Sequence, residues 1–274
     1  KQKTKKRKNS GEEECYNINI ESIGIFSSVF KEKYATPRQG TITKYTPGII
    51  HLHKTIDPSS LDGLDEYSHI WIEFIFHKNT NKSFKPKVKP PRMKGKKIGI
   101  FATRSPHRYN KIGLTLCKLE NIQERKVYVS GINILDNTPI IDIKPYHPAD
   151  QIVNAIFPNW LNIADHQHLL NVIFTDIAEK KLKDIFETNI LTFYQKNDCN
   201  KLLASIIEIL KHDPRSIHSH MKHKNGIYAM EYDKLAISFR YTHNDTTIEV
   251  FDVEKIQKNQ LKLRSKSWFQ SKKQ

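Results

Sequence analysis

The sequence predicts a mainly β fold, with an antiparallel barrel or sandwich followed by a smaller α+β domain. Residues 15–148 contain short apolar segments separated by Pro, Gly and Asn, and no helix of useful length lies between them. Amphipathic helical patterns appear only beyond residue 148. Short alternating segments with turn residues between them then complete the second domain, so strands dominate both parts of the chain.

Seven strands are predicted in the first domain. They lie at about 16–26, 39–52, 69–77, 98–102, 113–119, 126–134 and 139–143. Residues 78–97 contain Pro86, Pro90 and Pro91, and proline removes a backbone donor and restricts φ. This segment is therefore predicted to be a long exposed loop, of the kind that carries function or disorder.

The second domain follows a polar linker that begins after residue 148. It is predicted to contain a strand near 169–175, helices near 176–188 and 199–211, and strands at 226–232, 235–242 and 246–252. The second helix should end before Pro214, because proline disfavours helical geometry in the residue preceding it. The predicted organisation is thus a disordered basic tail (1–14), a barrel domain (15–148), an α+β domain (149–254) and a basic tail (255–274).

Positive charge is concentrated in three segments. The 274-residue chain has a formal net charge of +16 at pH 7. Residues 1–10, 78–97 and 255–274 carry six, nine and seven Lys or Arg respectively and no acidic residue. These segments account for the whole surplus, so the remaining body is close to neutral and slightly acidic. A basic loop and basic arms favour a polyanionic partner.

Several function classes are disfavoured by the sequence. No apolar run approaches the roughly 18 residues of a membrane-spanning helix, so we expect no membrane association. The three cysteines are dispersed, as is typical of a reducing compartment, and we expect the cytoplasm while an organelle or the nucleus stays open. The histidines near 212–223 lack accompanying zinc ligands, so no metal is expected. Neither a P-loop, a G-x-G-x-x-G turn nor a G-x-S-x-G elbow occurs.

Four polar loops of the first domain carry an unusual density of residues suited to binding. A small β scaffold places its binding residues in such loops. They read Pro37-Arg38-Gln39-Gly40, Ala102-Thr103-Arg104-Ser105-Pro106-His107-Arg108, Leu135-Asp136-Asn137-Thr138-Pro139 and Asp142-Ile143-Lys144-Pro145-Tyr146.

The ordered set of these motifs resembles the TsaA-like, or TrmO, family of S-adenosylmethionine-dependent tRNA adenine N6-methyltransferases. Further matching motifs are Asp62-Gly63-Leu64, Tyr67-Ser68-His69-Ile70-Trp71, Phe74-Ile75-Phe76-His77, Gly99-Ile100-Phe101 and Asn110-Lys111-Ile112-Gly113-Leu114. The resemblance covers about residues 16–148 and continues more weakly through Asp213-Pro214-Arg215. Departures include Asn137, where the family has Gly, and Tyr109 and Lys111, where it has Pro.

The resemblance implies a TsaA-like β-barrel that binds S-adenosyl-L-methionine without a Rossmann sheet, in a homodimer with the active site near the subunit interface. It also implies transfer of a methyl group to the exocyclic amine of N-threonylcarbamoyl-adenosine, next to the anticodon of tRNA. By motif position, the implied cofactor contacts are Pro37, Arg38, Gln39, His77, Lys78, Arg104, Leu114, Asn133, Ile134, Leu135 and Asp136.

Methyl transfer to a weakly nucleophilic nitrogen benefits from a base or hydrogen-bond acceptor. The candidates are His77, His69, Asp142 and Tyr146, between which the sequence does not choose. For contacts with the anticodon stem-loop we expect Lys87, Lys89 and Arg92 to bind phosphates and Tyr109 or Tyr146 to stack on the modified base. Arg108 is a further RNA candidate, and Arg215 is assigned to the threonyl carboxylate.

Two alternatives stay open at this point. The altered loops are compatible with a basic RNA-binding module that has the same fold and no catalytic activity. A methyltransferase acting on another RNA or on a small molecule is the second alternative.

Overall fold

The computed structural model describes residues 5–7, 15–80, 85–90, 93, 95–161, 169–215, 226–242 and 245–256. Its first ten strands, in chain order, are β1 (Lys5–Arg7), β2 (Cys15–Asn17), β3 (Gly24–Ser28), β4 (Pro47–Leu52), β5 (His69–Ile75), β6 (Lys87–Val88), β7 (Ile98–Gly99), β8 (Ile112–Gln123), β9 (Lys126–Ser130) and β10 (Thr138–Pro145). Six of them close an antiparallel barrel in the order β10-β3-β4-β9-β8-β5, which confirms the predicted mainly β class.

Alternating side chains fill the barrel. Along β5, Ile70, Ile72 and Phe74 are buried, and the residues between them are partly exposed. Successive side chains of a strand point to opposite faces, so one apolar set lines the interior of a closed sheet. Among the residues described, β5, β8, β9 and β10 overlap the segments predicted from this alternation.

Antiparallel pairing brings three connecting segments to one end of the barrel, which we call the loop end. They are 29–46 (between β3 and β4), 76–111 (between β5 and β8) and 131–137 (between β9 and β10). Direct rungs such as Ser28↔Gly48 and Phe74↔Gly113 fix this arrangement. The 53–68 connection and the end of β10 lie at the opposite end.

A second sheet follows the barrel. Its elements are β11 (Asn171–Phe174), α1 (Asp176–Glu187), α2 (Cys199–Lys211), β12 (Ile227–Tyr232), β13 (Leu235–Thr242) and β14 (Thr247–Lys255). The sheet order is β11-β14-β13-β12, with β11 parallel to β14 and the other pairs antiparallel. Thr175 caps α1 by accepting from the Ala178 N–H at 3.2 Å. Both predicted helices are therefore confirmed.

Contacts to the second sheet and to α2 anchor the 29–46 loop. The Asp233 N–H donates to the Val29 carbonyl at 2.9 Å, and the Phe30 and Tyr232 rings meet edge to face with centroids 5.9 Å apart. Ser205 Oγ donates to the Tyr45 carbonyl at 2.8 Å. One hydrophobic cluster continues from the barrel into the second sheet, and the domain boundary at residue 148 stays a prediction.

The strand prediction fails in four places, and one of them is 131–134, which follows the end of β9 at Ser130. Residues 18–23 form no strand, because Ile18 and Ile20 remain exposed and gain no burial from pairing. In 39–52 only β4 is a strand; Thr46 Oγ1 donates to the Thr43 carbonyl at 3.0 Å, and such local bonds compete with a ladder. Only Ile98–Gly99 of 98–102 is extended, and it pairs outside the barrel.

The predicted loop and tails also differ from the structure or lie outside it. Within 78–97, Lys87–Val88 pairs with Ile98–Gly99, so this loop is locally ordered by backbone bonds despite its prolines. Of the tail predicted to be disordered, Lys5–Arg7 pairs with Cys15–Asn17, whereas 1–4 and 8–14 lie outside the described residues. The C-terminal tail is described only to Ile256.

Candidate active site

The loop end of the barrel gathers the cofactor residues implied by the family motifs. The 29–46 segment carries three of them, the 76–111 segment three and the 131–137 segment four, while Leu114 follows on β8 and is 48% exposed. These residues come from distant parts of the chain. The antiparallel barrel therefore places one set of motif residues at one end: Pro37, Arg38, Gln39, His77, Lys78, Arg104, Asn133, Ile134, Leu135 and Asp136.

A close backbone approach joins the first and third segments. A Cβ on Gly40 would lie 2.1 Å from the Gly131 carbonyl oxygen, so only glycine fits at position 40. Gly131 itself has φ +72°. Beside this contact, Asn133 Nδ2 donates to the Arg38 carbonyl at 3.3 Å. Among the residues described, the buried Oδ1 of Asn133 has no hydrogen-bond partner.

Asp136 is held at the start of the turn before β10. Its Oδ1 accepts from the Ser28 N–H at 2.9 Å, and its Oδ2 lies 2.8 Å from Lys31 Nζ. Asn137 also donates to Oδ2, at 3.0 Å, and adopts φ +59°. Asparagine tolerates this left-handed geometry better than most side chains, which explains how it occupies a position that is Gly in the family motif.

His77 lies beside this turn with a defined hydrogen-bond arrangement. Its Nδ1 is 3.2 Å from Thr138 Oγ1, which donates its own proton to the Leu135 carbonyl at 2.7 Å. Burial lowers the pKa of His77, and the nearby Lys78 and Lys33 ammonium groups lower it further. The imidazole is therefore neutral at neutral pH.

Asn79 is a structural organiser of the loop end that the sequence does not single out. It is 8% exposed, and its Nδ2 donates to the Pro106 carbonyl at 2.6 Å. Lys33 Nζ donates to Asn79 Oδ1 at 3.1 Å, and Lys111 Nζ donates to its carbonyl at 2.6 Å. A single Asn within a basic loop carries no sequence signal for this role.

Arginines and lysines surround the same end. Arg104 Nη1 donates to Gln39 Oε1 at 3.0 Å, which connects the 76–111 and 29–46 segments. Lys78 Nζ bonds the Lys31 carbonyl and lies 3.4 Å from Glu32. Of the predicted phosphate-binding residues, Lys87 and Lys89 are exposed, and Arg92 lies outside the described residues.

The structure does not bring the four candidate bases together. His69 begins β5, and its carbonyl accepts from the Tyr146 N–H at 3.0 Å, so both lie at the opposite end of the barrel from His77. Asp142 pairs with Lys144 on β10, and Lys144 also contacts Glu73 at 2.9 Å. Within one chain, His77 is the candidate that shares the loop end with the cofactor motifs.

Arg215 does not have the exposure required by the carboxylate contact predicted for it. Its side chain is 0% exposed, and Nη2 lies 2.8 Å from Asp213 Oδ2 while Nη1 lies 3.1 Å from Asp245 Oδ1. The guanidinium also stacks 3.4 Å from the centre of the Tyr241 ring. The prediction is corrected accordingly: two internal carboxylates and an aromatic face satisfy this cation, which is buried against the second sheet.

Other site types receive no support from the described residues. Within these ranges, no group of three or more His, Cys, Asp or Glu side chains could hold a metal ion. No helix in the described part of the chain has the length and hydropathy to cross a membrane.

Donor chemistry at the loop end fits S-adenosylmethionine. This cofactor presents an ammonium, a carboxylate, ribose hydroxyls and an adenine amine. The Asp136 carboxylate and the orphaned Asn133 Oδ1 suit its donors, and the guanidinium groups of Arg38 and Arg104 suit its carboxylate.

Family and sequence comparisons identify relatives of this chain. The family model of the tRNA-methyltransferase O N-terminal domain matches residues 25–151. The tRNA (adenine(37)-N6)-methyltransferase of Mus musculus is 45% identical over 160 residues, 57% of this chain and 36% of that protein. A probable S-adenosyl-L-methionine-binding protein of Pyrococcus abyssi is 33% identical over 153 residues, 56% of this chain and 79% of that protein. The chain spans about a third of the length of the mammalian relatives it matches.

Two matches cover most of the chain, including the barrel and the second sheet. The crystal structure of TrmO from Pseudomonas aeruginosa superposes with a TM-score of 0.69 at 28% identity, covering 87% of this chain and 98% of that one. The tRNA (adenine(37)-N6)-methyltransferase of Escherichia coli is 32% identical over 244 residues, 87% of this chain and 98% of that protein. The chain therefore belongs to the TrmO family.

Proposed function

We propose that the chain is a tRNA methyltransferase that transfers a methyl group from S-adenosyl-L-methionine to the exocyclic amine of N-threonylcarbamoyl-adenosine next to the anticodon. The observation that carries the proposal is the convergence of the 29–46, 76–111 and 131–137 segments at one barrel end. A basic loop belongs to the same end, so cofactor-binding chemistry and an attraction for RNA occur together.

In this proposal the loop end holds the cofactor through complementary charges. Arg38 and Arg104 bind its carboxylate, and Asp136 and Asn133 accept from its hydroxyl or amine groups. When bound, the cofactor supplies an electrophilic methyl group. The protein's main contribution is orientation, since the acceptor nitrogen and the methyl group must be held in line about 3 Å apart.

His77 is the residue we assign to the acceptor proton. The Thr138 hydroxyl donates its proton to the Leu135 carbonyl, so the Thr138 oxygen accepts from Nδ1–H of His77. A neutral imidazole protonated at Nδ1 has its lone pair on Nε2. Nε2 of His77 can therefore accept the proton that the nitrogen loses on methylation.

RNA and a second subunit complete the proposal. Lys87 and Lys89 attract the phosphates of the anticodon stem-loop. We further propose a homodimer, which would bury the exposed apolar side chains of the linker after the barrel. These are Ile152, Val153, Ile156 and Phe157, each at least 68% exposed in the single chain.

Mass spectrometry of tRNA nucleosides tests the reaction. The chain is incubated with S-adenosylmethionine and with tRNA that carries or lacks the threonylcarbamoyl group. Addition of one methyl group to threonylcarbamoyl-adenosine alone is the expected result. Methylation of both tRNAs, or of neither, contradicts the proposed acceptor.

Calorimetric titration with S-adenosylmethionine separates an enzyme from a binding module. The proposal requires saturable cofactor binding, weakened in Arg38→Ala and Arg104→Ala. RNA binding without any heat of cofactor binding would instead establish a module that has the fold and lacks the chemistry.

A further inference from the structure

Two large aromatic side chains at the loop end face solvent. Phe101 is 74% exposed and Tyr109 is 60% exposed. Their ring centroids lie 5.8 Å apart with 30° between the ring planes. The Arg108 guanidinium carbon lies 6.0 Å from the centre of the Phe101 ring. Exposed neighbouring rings with a cation beside them are typical of a binding surface rather than of a folding core.

Hydrogen bonds hold the segments that carry this aromatic pair. Phe101 lies in a single 3-10 turn, Ile100–Ala102, that the Thr103 N–H closes on the Ile100 carbonyl at 3.1 Å. Arg108 Nη1 donates to the Thr103 carbonyl at 2.7 Å, which ties the segment before Tyr109 to the same turn. The exposed rings are therefore presented by an ordered segment.

The same turn is joined to the basic loop. The Ile100 N–H donates to the Pro86 carbonyl at 2.9 Å, and Lys87 pairs directly with Gly99. Lys87 and Lys89 thus follow Pro86 by one and three residues, and the Pro86 carbonyl contacts Ile100, the residue before Phe101. Exposed aromatic rings and exposed lysines therefore lie on neighbouring, backbone-paired segments, a combination found in surfaces that bind single-stranded RNA.

We propose that Phe101 and Tyr109 form a platform on which an unpaired base of the RNA substrate stacks, with Arg108 adding a cation beside Phe101. The proposal rests on the proposed tRNA substrate and adds Phe101 to the residues expected to contact it. Charge complementarity selects RNA over an apolar protein segment as the occupant, because cations flank the rings. Stacking tolerates any base, so the platform contributes affinity and orientation rather than sequence choice.

RNA-binding measurements on Phe101→Ala and Tyr109→Ala test the platform. The probe is an unmodified anticodon stem-loop RNA with 2-aminopurine in the loop, titrated at several salt concentrations. Each variant should bind about 5- to 100-fold more weakly, with less 2-aminopurine quenching and an unchanged salt slope. Phe101→Trp should restore affinity. Tyr67→Ala, which removes a 39% exposed ring at the opposite barrel end, is the matched control.

Thermal unfolding and S-adenosylmethionine titration establish that the variants are folded with an intact cofactor site. Wild-type affinity and quenching in the Phe101→Ala/Tyr109→Ala protein would overturn the platform. So would a change of sedimentation coefficient without a change of RNA affinity, which would make the rings a subunit contact. If the wild-type protein binds the RNA and quenches 2-aminopurine but methylates no tRNA, the proposed reaction is rejected and the platform is retained.

Discussion

Thr138 Oγ1 lies 3.2 Å from Nδ1 of His77 and donates its proton to the Leu135 carbonyl 2.7 Å away. One hydroxyl thus contacts both the imidazole of His77 and the Leu135 carbonyl. The carbonyl belongs to the 131–137 segment, so this hydroxyl connects His77 to the loop that carries Asp136.

The first prediction concerns the pH dependence of methyl transfer. Burial, assisted by Lys78 and Lys33, lowers the pKa of His77 below its usual 6.5. A base must be unprotonated, so the acidic limb of kcat should lie below pH 6.5 and follow the lowered pKa of His77. Lys78→Gln should move both the acidic limb and the NMR titration of His77 to higher pH. His77→Gln should lower kcat by about 10²- to 10⁴-fold.

Thr138 variants provide the control for this assignment. Thr138→Ser keeps the hydroxyl and should keep the rate, whereas Thr138→Val removes the acceptor for Nδ1–H and should lower the rate without loss of cofactor affinity. Equal rates in both variants, or a His77→Gln protein with wild-type kcat, would eliminate His77 as the base.

A second prediction follows from the contact between Gly40 and Gly131. A methyl group at position 40 would meet the Gly131 carbonyl oxygen at 2.1 Å, and backbone cannot move aside as a side chain can. Gly40→Ala should therefore lower the free energy of unfolding by about 1–3 kcal/mol and weaken S-adenosylmethionine binding. Chemical denaturation and calorimetry measure the two effects.

Gly99→Ala is the matched control, because a Cβ there meets nothing within 4 Å. It should change neither stability nor cofactor affinity. If Gly40→Ala binds the cofactor like the wild type, the separation of the 29–46 and 131–137 segments has no bearing on the site.

Alternation and turn chemistry allow much of this fold to be predicted from sequence. β5 reads as a strand because Ile70, Ile72 and Phe74 alternate with partly exposed residues. α2 ends before Pro214, as predicted, and Asn137, at a position where the family has Gly, adopts a positive φ. These features are determined by residues close in the chain, so they can be predicted from the local sequence.

Features that depend on distant partners could not be predicted. Position 40 requires glycine because of its close approach to Gly131. The structural role of Asn79 is recognisable only from its bonds to Lys33 and Pro106. Arg215 reads as an available cation in an Asp-Pro-Arg turn, yet its second carboxylate, Asp245, lies 30 residues away. Periodicity contains no information about such pairings.

The third prediction concerns the buried ion cluster. Arg215→Ala leaves Asp213 and Asp245 without their cation, which should lower the free energy of unfolding by about 3–5 kcal/mol. Burial opposes ionisation of Asp213, but bonds to Arg215 and Tyr241 outweigh it and lower its pKa. The cluster should therefore stabilise the protein above pH 4 and lose this effect as the pH falls through that lowered pKa.

Denaturation at pH 7 and pH 3 tests this assignment. The destabilisation caused by Arg215→Ala should be smaller at pH 3 than at pH 7, because the stabilisation from a lowered aspartate pKa decreases once the pH falls below the usual 3.8. Full stability of Arg215→Ala at pH 7 combined with weaker tRNA binding would restore Arg215 as a substrate contact.

The last prediction concerns the basic loop. Lys87 and Lys89 are exposed and held near the aromatic platform by the pairing of Lys87–Val88 with Ile98–Gly99. Each phosphate contact contributes a slope of about −0.7 to −0.9 to log K against log salt concentration. Lys87→Gln/Lys89→Gln should therefore weaken tRNA binding at low salt and make the slope shallower by about 1.5, with S-adenosylmethionine affinity unchanged. Lys54→Gln, an exposed lysine at the opposite barrel end, should leave the slope as it is. An equal change in both variants would indicate diffuse attraction to the whole surface, and no change in the double variant would remove the loop from the RNA interface.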